Sequence, residues 1–338
     1  MNILVTGGCG YIGSHTTVEL LNRDYNVVIL DNLSNSKKIV LDRIYKITNK
    51  KPKFYLGDIK DEKILNKIFK DNRIDCVINF AGYKAVGESV KMPLEYYENN
   101  IFGAINLLKV MRENNVFNFI FSSSATVYGD PKVVPVDENS QVGNTTNPYG
   151  TTKLYIEQIL KDLYKSDNRF NIAILRYFNP IGAHKSGLIG EDPNGIPNNL
   201  APYITQVMVG KRERLNVFGN DYDTFDGTCI RDYIHVVDLA IGHVLTINKL
   251  SQNPGLVIYN LGTGKGSSVL DIVKAFEKAY GDKIPYQIVG RREGDVPVNY
   301  AKVDKAYNEL GFKAEYDIND MARDAWNWQK NNPNGYEE

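Results

Sequence analysis

The stretch VTGGCGYIGSH, Val5 to His15, restricts the fold of this chain more than any other. It follows the β-branched run NILVTG and holds glycines in the spacing G-x-G-x-x-G (Gly8, Gly10, Gly13), and equally G-x-x-G-x-x-G (Gly7, Gly10, Gly13). Glycines at that spacing let a strand turn sharply into a helix, let backbone approach a pyrophosphate, and let the helix pack closely on the strand. The helix N-terminus then presents unpaired N–H groups to phosphate. Such a motif needs a strand before it and a helix after it, so it predicts a strand–helix unit at the start of the chain.

The pattern downstream extends that unit. Short apolar runs recur at NVVILD (26–31), KFYLGD (53–58), DCVINFAG (75–82), NFIFSSSA (118–125) and NIAILRYFN (171–179). Several are almost continuously apolar, as strands buried on both faces are. Helical patterns fit between them, notably from Pro93 through Met111 and from Pro148 through Tyr164. Alternation of this kind predicts an α/β fold, a Rossmann-type doubly wound parallel sheet. Past Asn179 the texture changes to a Gly-, Pro- and Asn-rich segment, then to shorter elements: LNVFG, a helix near 236–247, LVIYNLG and a helix near 269–280. These predict a smaller C-terminal α/β substrate lobe. The expected division is 1–180 for the first domain, with elements returning to it from about 230–262, and 181–338 for the second.

The balance of charge narrows the partners. Lys plus Arg and Asp plus Glu both number 40 in 338 residues, which removes the electrostatic footprint expected of a nucleic-acid or anionic-membrane binder. No run approaches the roughly 18 apolar residues of a membrane span, and the N-terminus lacks a basic stretch before an apolar core. The cytoplasm is therefore the expected compartment. Cys9, Cys76 and Cys229 are scattered and odd in number, which argues for reduced thiols and against a disulfide framework or structural zinc. Of the four histidines, only His235 and His243 have a suggestive spacing, read as two turns of one helix with no metal role. Trp326 and Trp328 are expected to pack a terminal helix.

Asp31 ends the second strand, 18 residues after Gly13. A carboxylate there accepts hydrogen bonds from a ribose 2′-hydroxyl and repels a 2′-phosphate, which favours NAD over NADP. Lys37 and Lys38 nearby are the features that would attract phosphate instead. Asp58, ending the third run in GDI, stands in a comparable place beside an adenine or serves as a turn former.

In NPYGTTKLYIEQ, Tyr149 and Lys153 lie four residues apart, on one face of a helix. A phenol has an ordinary pKa near 10, so a base acting at neutral pH needs about 4 kcal/mol in favour of phenolate. A nearby ammonium and a positively charged nicotinamide both act in that direction. Taken alone, such a pair is more often than not a plain amphipathic spacing. Upstream, FIFSSSATVYG adds weight: in a strand Ser122 and Ser124 share one side and Ser123 takes the other. Polar residues at the carboxyl end of a buried parallel strand sit at the ligand crevice, where Ser124 can bond the oxygen that Tyr149 deprotonates.

Together TGGCGYIG, SSSATVYG and YGTTK resemble the extended short-chain dehydrogenases/reductases. Among them the chain closely resembles the UDP-glucose 4-epimerase family, end to end, through FAGYKAVGESV, PLEYYENN, LRYFNPIGAH, GEDPNGIPNNL, VFGNDY, DGTCIRDYIHVVDLA, YNLGTG and RREGD. The resemblance implies NAD in the first lobe and a UDP-hexose between lobes. It places NAD contacts on Gly7, Gly10, Tyr11, Ile12, Gly13, Asp31, Asn32, Asn35, Ser36, Asp58, Ile59, Phe80, Ala81, Lys84, Asn99, Ser124, Tyr149, Lys153 and Phe178. It places nucleotide-sugar contacts on Ser124, Tyr149, Asn179, Asn199, Leu200, Asn216, Phe218, Arg231, Tyr233, Arg292, Asp295 and Asn299. Arg231 and Arg292 would supply planar donors to diphosphate oxygens. Ser124, Tyr149 and Lys153 are the implied catalytic residues, no metal is implied, and relatives are usually homodimers joined through helices such as those after Pro93 and Pro148.

Asn299 departs from a common family pattern, in which a bulky tyrosine stands at that place. The resemblance implies that a small side chain there leaves room for a 2-acetamido group, although Tyr300 can refill the space. Three rival functions share parts of this pattern. Sugar-nucleotide 4,6-dehydratases carry an Asp-Glu acid/base pair after the serine-strand hydroxyl, where this chain has Ala125 and Thr126. A uronic-acid epimerase differs by little more than a pocket residue, and a non-catalytic nucleotide sensor would not need Ser124, Tyr149 and Lys153 intact.

Overall fold

The computed structural model describes residues 1–292 and 294–337. Seven strands form the main sheet: β1 (Asn2–Thr6), β2 (Asn26–Asp31), β3 (Lys53–Leu56), β4 (Cys76–Asn79), β5 (Asn118–Ser124), β6 (Asn171–Tyr177) and, later in the chain, a strand at Leu256–Leu261. Between β6 and that last strand lie β7 (Asn179–Ile181), β8 (Leu215–Phe218) and β9 (Ile230–His235), so it is β10. The order is β10-β6-β5-β4-β1-β2-β3, with every neighbouring pair parallel. Strand order reverses between β1 and β4, and in sheets of this kind the crevice outside the carboxyl ends at such a point is where ligands bind.

The apolar runs explain the sheet. Ile3, Val5, Ile29, Cys76, Ile78 and Ile120 point to one side, into a core shared with the helices Tyr11–Asn22 and Val236–Leu250. Leu4, Val28, Leu30, Val77, Phe119 and Phe121 point to the other, against Glu62–Asp71, Gly103–Glu113 and Pro148–Ser166. With both faces covered by helices, the central strands β1, β4, β5 and β6 bury nearly all of their side chains.

The chain leaves this sheet after β6 and returns through Val236–Leu250 and β10. The remaining strands are β11 (Gly266–Ser268), β12 (Tyr286–Val289) and β13 (Val298–Asn299). β9 pairs with β7, β11 and β13, and β8 pairs with β12. A third apolar cluster, including Ile204, Val217, Phe276, Met321 and Ala322, fills the space between these strands and their helices. Among the described residues no helix is long and apolar enough to cross a membrane.

Three sequence expectations need correction. The helix expected from Pro93 through Met111 is Pro93–Tyr97, then a π-helical turn at Glu98–Phe102, then Gly103–Glu113. The wider turn carries two buried polar side chains, Asn99 and Asn100, and such turns concentrate at functional sites. Secondly, β3 and β4 stop at Leu56 and Asn79, so Asp58 and Phe80 lie in the loops beyond the strand ends. Thirdly, His235 and His243 are not two turns of one helix. His235 ends β9 and caps the following helix, its Nδ1 accepting from Val237 N at 3.0 Å. His243 lies inside that helix, where Nδ1 bonds Leu239 O at 2.8 Å and Nε2 meets the Tyr177 hydroxyl. Trp328 is buried in the terminal helix Ile318–Asn331, and Trp326 packs edge-on against Tyr280.

Candidate active site

The glycine loop is shaped by close backbone approach. Gly7 has φ +72°, and a Cβ there would lie 2.9 Å from Ala81 N. A Cβ on Gly13 would lie 2.2 Å from Gly7 O. The helix Tyr11–Asn22 starts at Gly10 with no side-chain cap and no acidic residue in its first turn. Its free N–H groups and positive dipole end therefore face the crevice, an arrangement that fits a dinucleotide pyrophosphate. Ile12 is half-buried in this turn, and the Tyr11 hydroxyl donates to Gly182 O at 2.7 Å, tying the loop to the chain beyond β7.

At the end of β2, Asp31 is buried and accepts from Cys9 N (2.9 Å), Leu33 N (2.9 Å) and Ser36 Oγ (2.8 Å). A carboxylate accepts about four hydrogen bonds, so one remains for a ribose hydroxyl. Exposed Asn32 donates to Asp58 Oδ2 at 2.9 Å, and Asp58 Oδ1 accepts from Lys60 N at 2.8 Å. Asp58 is thus both a turn former and a partner of Asn32, and Asn35 is exposed. Lys37 donates to Tyr336 O and pairs with Asp192 at 3.3 Å, which turns its charge away from any 2′-phosphate. Both features agree with NAD rather than NADP.

The wall of the crevice comes from the β4 side. Ile59 is buried, Phe80 packs on the His243 ring at 4.8 Å, and Ala81 closes on Gly7. Asn99 donates to Asn100 Oδ1, which also accepts from Tyr83 N at 2.8 Å. Lys84 lies 5.8 Å over the Tyr11 ring and pairs with Glu191 at 2.8 Å. Phe178 is buried just past β6.

Ser124 ends β5 and its Oγ accepts from Thr126 N at 3.2 Å. Asn147 caps the next helix, accepting from Gly150 N at 2.8 Å, with Pro148 in the first turn. That start fixes where Tyr149 and Lys153 stand. Lys153 is buried, its Nζ donating to Ser122 O at 2.6 Å and lying 5.8 Å from the centre of the Tyr149 ring. Burial pushes the Tyr149 phenol up to about 12, with the nearby Ser124 hydroxyl pulling the other way. Burial also lowers Lys153 to about 8. Burial therefore opposes the acidification of Tyr149 expected from Lys153 and a nicotinamide charge.

Four expected nucleotide-sugar residues meet on one small sheet. Arg231 and Tyr233 alternate on β9, with Asn299 of β13 in register beside Arg231 and Asn179 of β7 beside Tyr233. On the other face of β9, Asp232 accepts from Thr263 N, Thr263 Oγ1, Gly264 N and Ala301 N, which locks the ladder to the turn after β10. Arg292 grips Asp295 with two bonds of 3.1 and 2.8 Å, and Arg231 lies 3.8 Å from the same carboxylate. The Arg292 guanidinium stands 5.6 Å over the ring of Phe218, which is 39% exposed at the end of β8. Asn216 accepts from Gln287 at 2.8 Å. Asn199 precedes the helix that opens at Leu200 and donates to Glu191 Oε1 at 2.8 Å. The Asn299 amide oxygen is buried and has no hydrogen-bond partner among the described residues.

A family model described as GDP-mannose 4,6 dehydratase matches residues 4–325. The UDP-glucose 4-epimerase of Haemophilus influenzae is 60% identical over 336 residues, 99% of each chain. That of Bacillus subtilis is 56% identical over the same length and coverage. The chain belongs to the UDP-glucose 4-epimerase family. Among solved members of this family, the Bifidobacterium longum enzyme in complex with NAD+ and UDP superposes with a TM-score of 0.97 at 55% identity, covering 99% of this chain and 100% of that one. The UDP-Glc/GlcNAc 4-epimerase of Campylobacter jejuni gives 0.85 at 35% identity, covering 98% and 99%.

Epimerase-family motifs did not reveal every residue that organises the site. Glu191 holds Lys84 and Asn199 on one oxygen, joining the expected cofactor side to the expected sugar side. Its place in GEDP carries no spacing signal. Glu157 and Arg176 form a fully buried ion pair behind the catalytic helix, and the only hint of it was the four-residue rhythm Tyr149, Lys153, Glu157.

Proposed function

We propose that this chain interconverts UDP-glucose and UDP-galactose at C4, with Ser124, Tyr149 and Lys153 as its catalytic residues. The observation that carries the reading is the meeting of these three side chains at the carboxyl end of β5, across from a glycine cradle that a Cβ would fill. That cradle, Asp31 and the Asp58 rim would hold NAD, which when bound would supply a hydride acceptor and then donor. Tyr149 takes the proton of the 4-hydroxyl as C4 gives up its hydride, leaving a 4-keto sugar. Ser124 holds the oxygen, and Lys153, anchored on the Ser122 carbonyl, adds positive charge beside the phenolate. The keto sugar turns about its link to the diphosphate, and Tyr149 returns the proton as hydrogen is delivered to the opposite face. Arg231 and Arg292 hold the diphosphate through that turn, Phe218 and Asn216 the nucleoside. In this reading 1–180, with the stretch that returns at about 230–262, serves mainly NAD, and the remainder mainly the UDP-hexose. Ala125 and Thr126 leave no acid/base pair for elimination of water, which disfavours dehydration.

The unpartnered amide oxygen of Asn299 sits beside Arg231 in the ladder. A short amide there favours acceptance of 2-acetamido sugars too. A panel of UDP-glucose, UDP-galactose and their N-acetylated forms tests both readings. Conversion of all four is expected, with Asn299→Tyr losing the acetamido pair by at least about 10-fold; inertness toward all four removes the main reading, and inertness toward the acetamido pair alone removes the second.

A homodimer is favoured by a patch of exposed apolar side chains, Val90, Leu94, Phe102 and Tyr155, with Leu94 77% exposed. They lie on the helices that open near Val86, Pro93 and Pro148 and on the π-helical turn. Light scattering should give twice the 38.2 kDa chain mass, and Leu94→Glu should halve it. A monomeric wild type would count against the dimer.

A further inference from the structure

We propose that Glu157 is a positioning residue for this reaction, its carboxylate fixing the helix that carries Tyr149 against the strand that carries Ser124. The inference rests on the reading of the site above and deepens it.

Tyr149, Lys153 and Glu157 follow one another at four-residue steps along Pro148–Ser166, on the face turned to the sheet. Glu157 is 0% exposed, and Ser123 and Arg176 are each 1% exposed. One carboxylate oxygen accepts from Ser123 Oγ at 2.6 Å and from Arg176 Nε at 3.0 Å; the other accepts from Arg176 NH2 at 2.7 Å. Ser123 is the strand neighbour of Ser124 and points to the opposite side of β5. The bond to Ser123 therefore fastens the strand within one residue of the hydroxyl at the site.

Arg176 extends the grip. Its NH1 donates to the Tyr128 hydroxyl at 3.0 Å and to Glu138 O at 3.3 Å. Tyr128 ends the short turn Ala125–Tyr128 that follows Ser124, and donates to Asn260 Oδ1 of β10 at 2.6 Å. One network thus joins the catalytic helix, β5, β6, β10 and the turn after Ser124. Burying two charges gives little net stability, because desolvation offsets their attraction. What a saturated buried network does supply is a single fixed geometry. Tyr149 acts on an oxygen shared with Ser124, and a misplacement of about 1 Å costs such a reaction about 100-fold.

The test separates position from stability. Ser123→Ala removes the bond to the strand and leaves the ion pair in place. The double variant Glu157→Leu with Arg176→Met removes both buried charges and the acceptor for Ser123 while leaving no unpaired buried charge, which protects the fold. The expected result for each is an unchanged melting temperature and NAD content, an unchanged KM, and kcat lower by about 10- to 100-fold. A folded, NAD-loaded Ser123→Ala with wild-type kcat would overturn the proposal, as would full activity of the double variant. If the double variant does not fold, Ser123→Ala decides alone. Wild-type conversion of UDP-galactose, measured alongside, separates a failure of this inference from a failure of the site reading.

Discussion

Tyr149→Phe is expected to lower kcat by about 1,000-fold or more while leaving NAD bound. The phenol oxygen is the group read as taking and returning the proton of the sugar 4-hydroxyl, and loss of a positioned acid or base costs about 10²- to 10⁴-fold. The ring remains, so packing over Lys153 changes little. The groups read as holding NAD, from the Gly7–Gly13 loop to Asp31, Asp58 and Lys84, are untouched. Dinucleotide released on denaturation should equal that of the wild type. The pH dependence follows from the same geometry. Burial pushes the Tyr149 phenol up, and Lys153 together with a bound nicotinamide cation would bring it down. Turnover of the loaded enzyme should therefore rise with pH through the phenol's lowered value, and the Phe variant should lose that limb. Near-normal epimerisation by Tyr149→Phe would remove the assigned base.

Gly13→Ala is expected to abolish dinucleotide retention. The added Cβ would lie 2.2 Å from Gly7 O and 2.9 Å from Gly8 Cα, both backbone atoms of the loop that receives the pyrophosphate. Neither can yield without opening the turn between β1 and the helix Tyr11–Asn22, and overpacking of this kind costs about 1–3 kcal/mol or more. Gly8→Ala is the control. Its Cβ would meet the Ile29 side chain at 2.9 Å, which can shift, so partial cofactor content is expected. Absorbance of the purified proteins, before and after denaturation, measures both. Full NAD content in Gly13→Ala would show that close backbone approach is not what the loop is for.

The features legible in the sequence are those whose partners sit within one element. Glycine spacing, buried strands, the Tyr149–Lys153 rhythm and the two-sidedness of Ser122, Ser123 and Ser124 are local, and the fold carries them as read. The π-helical turn at Asn99 was not legible, because Pro93–Met111 has an ordinary helical pattern and the buried Asn99 and Asn100 meet partners elsewhere in the chain, Tyr83 and Thr152 among them. Nor was the ladder that brings Asn179, Arg231, Tyr233 and Asn299 together, since its strands are widely separated in sequence and pair by backbone register. Lys153 shows a third limit. Its anchor is a main-chain carbonyl, Ser122 O, and no side-chain pattern announces a backbone acceptor.

The central claim is that hydrogen leaves C4 of the sugar and returns to the same carbon without meeting water. UDP-galactose carrying deuterium at C4, converted by the wild-type protein in ordinary water, should yield UDP-glucose with the label still at C4. Deuterium lost to solvent, with solvent hydrogen taking its place at C4, would contradict the account.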